Sequence, residues 1–256
     1  MRKLTRKMIL DNEECIREPI DMRLLLNYGI ANLLNKSILN DNHLPEHYCN
    51  PNIMPDYIAL NSQKNDYFLT DRTAVAFFTF DKTFDKIDGL YSAIYYNDKK
   101  LLTKFRKQFS GVRFVIAPDY SIFDDVWRFE NEYRLFKTRI IMLWFVVEIG
   151  AIVIPNAIYV STEMLPLYLS GFESCSVMCF STKGHVRKAS ERRRVKSVVK
   201  YVVDNFSLKT ILVYSTCGKD STSMELFRYA LQNGVDVRIV DNSLRRRNQS
   251  KLQKEV

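Results

Sequence analysis

The sequence predicts an α/β fold in which repeated βα units build a mainly parallel sheet, either an open three-layer arrangement or a partial TIM-like barrel. Six apolar runs rich in β-branched and aromatic residues recur: 74–80 (AVAFFTF), 112–118 (VRFVIAP), 151–155 (AIVIP), 176–181 (SVMCFS), 210–215 (TILVYS) and 236–240 (DVRIV). Continuous apolar runs of this length suit strands covered on both faces. Segments of helical period separate them, so that strand and helix alternate from about residue 57 to 242.

Composition narrows the class. The chain has 256 residues, 46% hydrophobic and 26% charged, which excludes disordered, coiled-coil and collagen-like chains. At this size folding buries roughly 75% of the surface of the unfolded chain, enough for a substantial core. With 38 Lys+Arg against 29 Asp+Glu the net charge is +9. The five cysteines, Cys15, Cys49, Cys175, Cys179 and Cys217, are odd in number and irregularly spaced, as expected of free thiols in a reducing cytoplasm.

Taken in chain order, residues 1–55 lack the alternation and read as a helical or irregular lead-in packed on the main domain. Their first stretch, MRKLTRKMILDNEE, starts basic, but its apolar run is too short for a secretory signal. Residues 56–242 form a single α/β domain, with helical segments at 90–109, 126–149, 190–206 and 222–233; Asn233 and Gly234 stop the last of these. In 190–206, Val195, Val198, Val199, Val202, Val203 and Phe206 form one apolar stripe. Residues 140–160 approach the length of a membrane span, yet Glu148, Gly150, Pro155 and Asn156 interrupt them. They read instead as a helix end, a glycine turn and a buried strand, and no membrane partner is expected. Residues 243–256 read as a basic, flexible tail.

In parallel α/β sheets ligands bind beyond the carboxyl ends of the strands. The residues there are Asp81; Asp119 with Asp124 and Asp125; Asn156; 181–183; 215–221; and Asp241. Asp81, Asp119, Asp124 and Asp125 are the candidate catalytic carboxylates. Asp81 and Asp119 are the candidate ligands for Mg²⁺ or Mn²⁺, which take one or two carboxylates plus phosphate. The competing reading makes these acids helix caps, with Asp81 opening the turn before Thr83 and Asp124 or Asp125 capping a helix from Val126.

A basic stretch, 183–196 (KGHVRKASERRRVK), supplies Lys183, Arg187, Lys188, Arg192, Arg193 and Arg194. With Ser190 as the N-cap, the three arginines fall in a helix's first turn, where cations oppose the dipole, so an anion site is the functional reading. A merely solvated surface is the bland one. The tail arginines 245–247 would add to the same field, leaving acids and bases at opposite ends of the sheet edge.

Residues 210–221 (TILVYSTCGKDS) resemble the strand, phosphate loop and helix start of an adenylating pyrophosphatase-loop enzyme. Thr216 and Cys217 depart from its Ser-Gly-Gly-x-Asp-Ser motif, and the 35 residues after Ser221 fall short of the rest of that fold. Gly218, Lys219 and Ser221 remain as a weaker anion site. His43–His47 (HLPEH) matches a zinc-protease string, but Pro45 forbids the helix turn that would align both histidines. Cys175 and Cys179 stand ~13 Å apart on a strand and read as core and turn residues. The chain has no G-x-G-x-x-G, P-loop, nucleophile elbow or Cys-x-x-Cys.

The series FVIAPDYSIFDD (114–125), NEYR (131–134), GAIVIPNAIYVS (150–161), SGFESCSVMCFSTKG (170–184) and ILVYS (211–215) resembles a bacterial domain family of unknown function, number 4417 in its series. The resemblance spans about residues 55–242 and implies an origin in phages or mobile elements, with no activity to carry over. Its strand-end motifs fall on Phe77, Phe78 and Asp81; on Pro118, Asp119, Tyr120 and Ser121; and on Val153, Ile154 and Pro155. Lys82 replaces an expected second Asp, Tyr159 and Val160 stand near an expected Trp, and the helix between Arg134 and Gly150 is longer.

Three function classes follow. The first is a phosphate-bearing partner, nucleic acid foremost, held at the strand ends by the basic residues. The second is a divalent-metal-dependent phosphodiester or phosphate-ester hydrolase. The third is a host-protein interaction module using an aromatic-rich surface drawn from 14 Tyr and 16 Phe.

Overall fold

The computed structural model describes residues 28–123 and 125–254. The expectations placed on the first 27 residues, Cys15 included, and on Asp124 lie outside them. Seven strands run in chain order: β1 (Tyr57–Leu60), β2 (Thr73–Ala76), β3 (Phe114–Ile116), β4 (Ile152–Ile154), β5 (Val177–Ser181), β6 (Thr210–Tyr214) and β7 (Asp236–Val240). Every pairing is parallel: β1 to β4 make one sheet and β5 to β7 another.

Two seams join these sheets into a ring. At one, Cys179 N–H donates to the Pro155 carbonyl and Ala157 N–H to the Cys179 carbonyl, both at 2.8 Å, beside the parallel bridge Asn156–Cys179. At the other, Ile58 N–H donates to the Asp241 carbonyl at 2.8 Å beside the bridge Tyr57–Asp241. The sequence left open sheet and barrel undecided; hydrogen bonding at both edges gives the barrel. A closed ring leaves no bare strand edge.

Neighbouring residues just past β2 show its two faces. Phe78 reaches across the ring to Tyr214 of β6, ring centroids 4.9 Å apart. Phe77 points the other way, against Phe84, Phe109 and Phe145. This is why the strands read as unbroken apolar runs: one face fills the barrel and the other meets helices. The apolar run of β1 is bounded at once by Asp56 and Asn61, whereas those of β2 and β3 continue beyond the strand, so β1 does not stand out in the sequence.

The connecting helices are α1 (Tyr28–Leu34), α2 (Asp81–Phe84), α3 (Leu90–Tyr95), α4 (Lys99–Phe109), α5 (Arg128–Trp144), α6 (Leu165–Tyr168), α7 (Ala189–Asn205), α8 (Asp220–Met224), α9 (Arg228–Gln232) and α10 (Ser243–Lys254). The 90–109 segment is two helices. Asn97 turns the chain at φ 50°, and the Asp98 carboxylate then caps α4 through the Lys100 and Leu101 N–H groups. α5 runs into a π-turn, Phe145–Ile149, which Gly150 ends at φ 71° before β4 begins, the order read for 140–160. Among the described residues no helix is long and apolar enough to cross a membrane. On α7 the predicted stripe holds: Val195, Val198, Val199 and Val202 are fully buried.

The tail differs from expectation. Residues 243–254 form α10, started by the Asn242 side chain, which accepts from Arg245 N–H at 2.9 Å. Arg245 binds Asp220 at 2.7 Å and Asp241 at 3.4 Å, Arg246 binds Asp241, and Asn248 donates to the Thr216 carbonyl at 2.8 Å. The tail's own sequence could not reveal these partners, because they stand on distant loops.

Candidate functional site

α10 covers the β6 and β7 side of the barrel's C-terminal mouth. The β2 to β5 side holds a cavity of about 310 Å³, lined by residues that follow those four strands. Asp119 enters from the end of β3, Phe78 and Phe80 from β2, Ile158 and Tyr159 from β4, and Ser181, Lys183 and His185 from β5.

Asp119 follows Pro118, which fixes the backbone as it leaves the strand. Its Oδ1 accepts from Asn156 Nδ2 at 3.0 Å. Burial against the apolar wall pushes its pKa up to about 7, and the Asp81 charge adds to the rise; the Asn156 hydrogen bond and the Lys183 charge oppose it. This carboxyl therefore exchanges its proton near neutrality.

Asp81, the first residue of α2, lies behind Asp119. Its Oδ1 accepts from Ser121 N–H at 3.1 Å and from Ser121 Oγ at 3.2 Å, and Arg134 Nη1 stands 3.8 Å from Oδ2. Asp81 thus ties α2 to the loop after β3. The two carboxylates feel each other, but among the described residues no three His, Cys, Asp or Glu gather where a metal ion could sit. A cation there would have Asp119 and Asp81 for ligands and would compete with Ser121 and Arg134 for the latter. Asp125 is exposed, and α5 starts at Arg128, so Asp125 is not its cap.

Lys183 lies along the exposed rim and its Nζ donates to the Phe78 carbonyl at 2.5 Å, linking the β2 and β5 ends. Partial burial lowers its pKa, against the pull of Asp119. Tyr159 Oη donates to the Ser181 carbonyl at 2.7 Å, and its ring packs 4.4 Å from that of His185. Burial lowers the His185 pKa below its ordinary 6.5, against the pull of Glu191. Gly184 turns the chain at φ 82° and brings Lys183 and His185 to the same cavity.

The structure brings Asp119 and Lys183 together and sets the predicted arginines apart. Lys188, not Ser190, precedes the first turn of α7, and its N–H donates to Glu191 at 2.8 Å. The acid fills the first turn and the arginines begin after it, the arrangement the helix dipole favours. Arg192 folds back on the Val186 carbonyl at 2.8 Å, while Arg193 and Lys196 line a second groove with Thr222 and Glu225. Arg187, Lys188 and Arg194 are exposed. Arg194 lowers the His185 pKa and so belongs to the cavity's electrostatic surroundings.

The acid-to-base separation expected along the sheet edge is replaced by one mouth holding both signs, because Arg245 and Arg246 are paired on the covered side. There, Gly218 and Lys219, in the loop after β6, and Ser221, in the first turn of α8, stand at a place occupied by the protein itself. Ser215 Oγ bonds Ser223 Oγ at 2.7 Å, and a Cβ on Gly218 would stand 2.4 Å from Leu252 Cδ1 of α10. Glycine serves the approach of a helix here, not of a phosphate. In HLPEH, His43 is exposed at φ 57°, whereas His47 donates through Nε2 to the Val153 carbonyl at 2.6 Å. Cys175 and Cys179 are buried core residues, as read.

Asn156 and Ser181, already placed at strand ends by the sequence, join the site beside the candidate acids and bases, and Tyr159 and His185 complete it. Tyr159 and His185 follow β4 and β5 within a few residues, so extending the strand-end rule further into the loops would have found them.

The fold and the cavity define a parallel α/β barrel with an acid-base pocket at its C-terminal mouth. The chain belongs to the DUF4417 family, described as a domain of unknown function, whose family model matches residues 41–231. No curated protein and no solved structure gives a significant match.

Proposed function

We propose that the mouth of the barrel is a site for a phosphate-bearing partner, with Asp119 as the proton-transferring group and Lys183 as the anion's counter-charge. The observation that carries this reading is Asp119 itself, a carboxyl with a pKa of about 7 in the same 310 Å³ cavity as a lysine amine. Such an acid holds its proton at slightly acidic pH, when it can donate to an anionic ligand, and releases it just above neutrality, when it can act as a base. Phe78, Phe123 and Ile158 give the cavity an apolar wall against which a planar ring can stack, so a nucleotide unit suits it.

The test is calorimetric titration of the protein with inorganic phosphate and with nucleoside monophosphates at pH 6 and pH 8. Binding is expected to be tighter at pH 6, where Asp119 is uncharged, and to be lost in Lys183→Met. Absence of heat with every phosphate compound would remove the reading. Repeating the titrations with Mg²⁺ separates the metal-dependent hydrolase: a heat that requires Mg²⁺ and vanishes in Asp119→Asn would favour it.

A further inference from the structure

We infer that the partner is a single-stranded nucleic acid, one unpaired nucleotide of which enters the Asp119 cavity while neighbouring phosphates lie along residues 183–196. The inference rests on the reading of the cavity as a phosphate-ligand site and specifies what the ligand belongs to.

Three features of the mouth point to a strand and not to a free nucleotide. Lys183, a wall of the cavity, begins a run of 14 residues that holds seven Lys and Arg and a single acid, Glu191. Glu191 is spent on the Lys188 N–H, and Arg193 and Lys196 continue the run along the groove beside α8, where Glu225 is the acid that faces them. A small ligand filling the cavity would leave these cations unused; a chain leaving it would lie on them.

The opposite lip is aromatic. Phe80 and Phe123 both line the cavity, yet they are 77% and 44% exposed. Bare rings beside a basic track are the elements that hold single strands, since every base offers a face to stack on. The acids on that side, Asp81, Asp85 and Glu130, are paired with Arg134 and Lys137, and the exposed Asp125 repels phosphate. The backbone is thereby directed to the 183–196 side and the bases toward the rings. A base inside a duplex cannot reach a cavity walled in this way without leaving its pair, so unpaired nucleic acid is favoured.

The experiment is fluorescence anisotropy with a short labelled oligonucleotide of mixed sequence, single-stranded and as its duplex, across a salt series. It is run beside the nucleoside-monophosphate calorimetry. The single strand is expected to bind at least about tenfold tighter than the duplex, with affinity falling as salt rises. A combined Arg187→Glu, Lys188→Glu, Arg193→Glu variant should lose about tenfold or more of oligonucleotide affinity and flatten the salt slope, with monophosphate heats unchanged. The same three sites changed to Gln give the same direction if the Glu variant folds poorly. Equal binding of strand and duplex, or an undiminished affinity in both variants, overturns the inference while the monophosphate heats keep the cavity reading alive. No oligonucleotide binding and no monophosphate heat overturns both.

Discussion

Asn156 holds the Asp119 carboxylate through a 3.0 Å hydrogen bond from Nδ2, and the same residue's backbone lies in the bridge to Cys179 that closes one seam of the barrel. The position of Asp119 is therefore fixed by ring closure as well as by its own strand. Because its folded pKa of about 7 lies above the ordinary 3.8, the fold resists ionisation of Asp119. Below pH 4 both folded and unfolded chains carry the proton and nothing is lost. As pH rises through 7 the folded state is charged at a cost of roughly 2 kcal/mol, discounted for its access to solvent. Thermal unfolding of the wild type should thus weaken between pH 5 and pH 8 more than that of Asp119→Asn. Parallel curves would show that the acid is not held in its neutral form.

Asp81 raises the Asp119 pKa by its charge while its oxygens hold Ser121. In Asp81→Asn the amide oxygen still accepts from Ser121 and the charge is gone. The Asp119 titration midpoint, followed by carboxyl carbon NMR, should fall by up to about one pH unit. An unmoved midpoint would mean that burial alone sets it.

His47 is pushed down to about 4, chiefly by burial, with the nearby Arg139 charge adding to the fall and the bond to the Val153 carbonyl opposing it. The folded state favours the neutral ring, so this contribution is complete above the ordinary 6.5 and is lost as pH falls from 6.5 toward 4. Acidification over that window should cost roughly 2 kcal/mol in urea unfolding. His47→Gln, which can still donate to Val153, should show less of this loss.

Gly89 precedes α3 at an ordinary φ, yet a Cβ there would stand 2.5 Å from the Phe84 carbonyl oxygen and 2.8 Å from Lys86 N. Both obstacles are backbone, which cannot rotate away. Gly89→Ala should destabilise the protein by roughly 2 kcal/mol by denaturant melts. A neutral result would mean that the turn relaxes easily.

The legible part of the fold was whatever a continuous local run encodes. β2 to β6 and the stripe of α7 are legible because both faces of a covered barrel strand, or one face of a helix, must be apolar; β7, with Asp236 and Arg238 exposed, is legible by the alternation of Val237 with them and by Val240. Closure was not legible, since the Asp241 and Pro155 carbonyls that accept at the seams bear no side-chain signal. Nor was the docking of α10, whose arginines find Asp220 and Asp241 only through the tertiary fold. In the site, Asp119 was legible because it stands directly after an apolar run and a proline. Arg192, Arg193 and Arg194 stood out by charge density, but Glu191 in the first turn and the fold-back of Arg192 place them beside the cavity and not in it.

The barrel is two contiguous arcs of chain, β1 to β4 and β5 to β7, meeting at two seams with a single residue bridge each. Within an arc, strands are laced over three to five residue pairs, apart from the two between β2 and β3. A hoop made of two staves should part along its joints before either stave frays. The amides of Ile58, Ala157 and Cys179 are then expected to exchange with solvent ahead of those inside β6, through an opening far smaller than global unfolding. Because Asn156 belongs to one of these joints, the same parting would loosen Asp119, so ligand occupying the mouth should slow exchange most at the β4 and β5 joint.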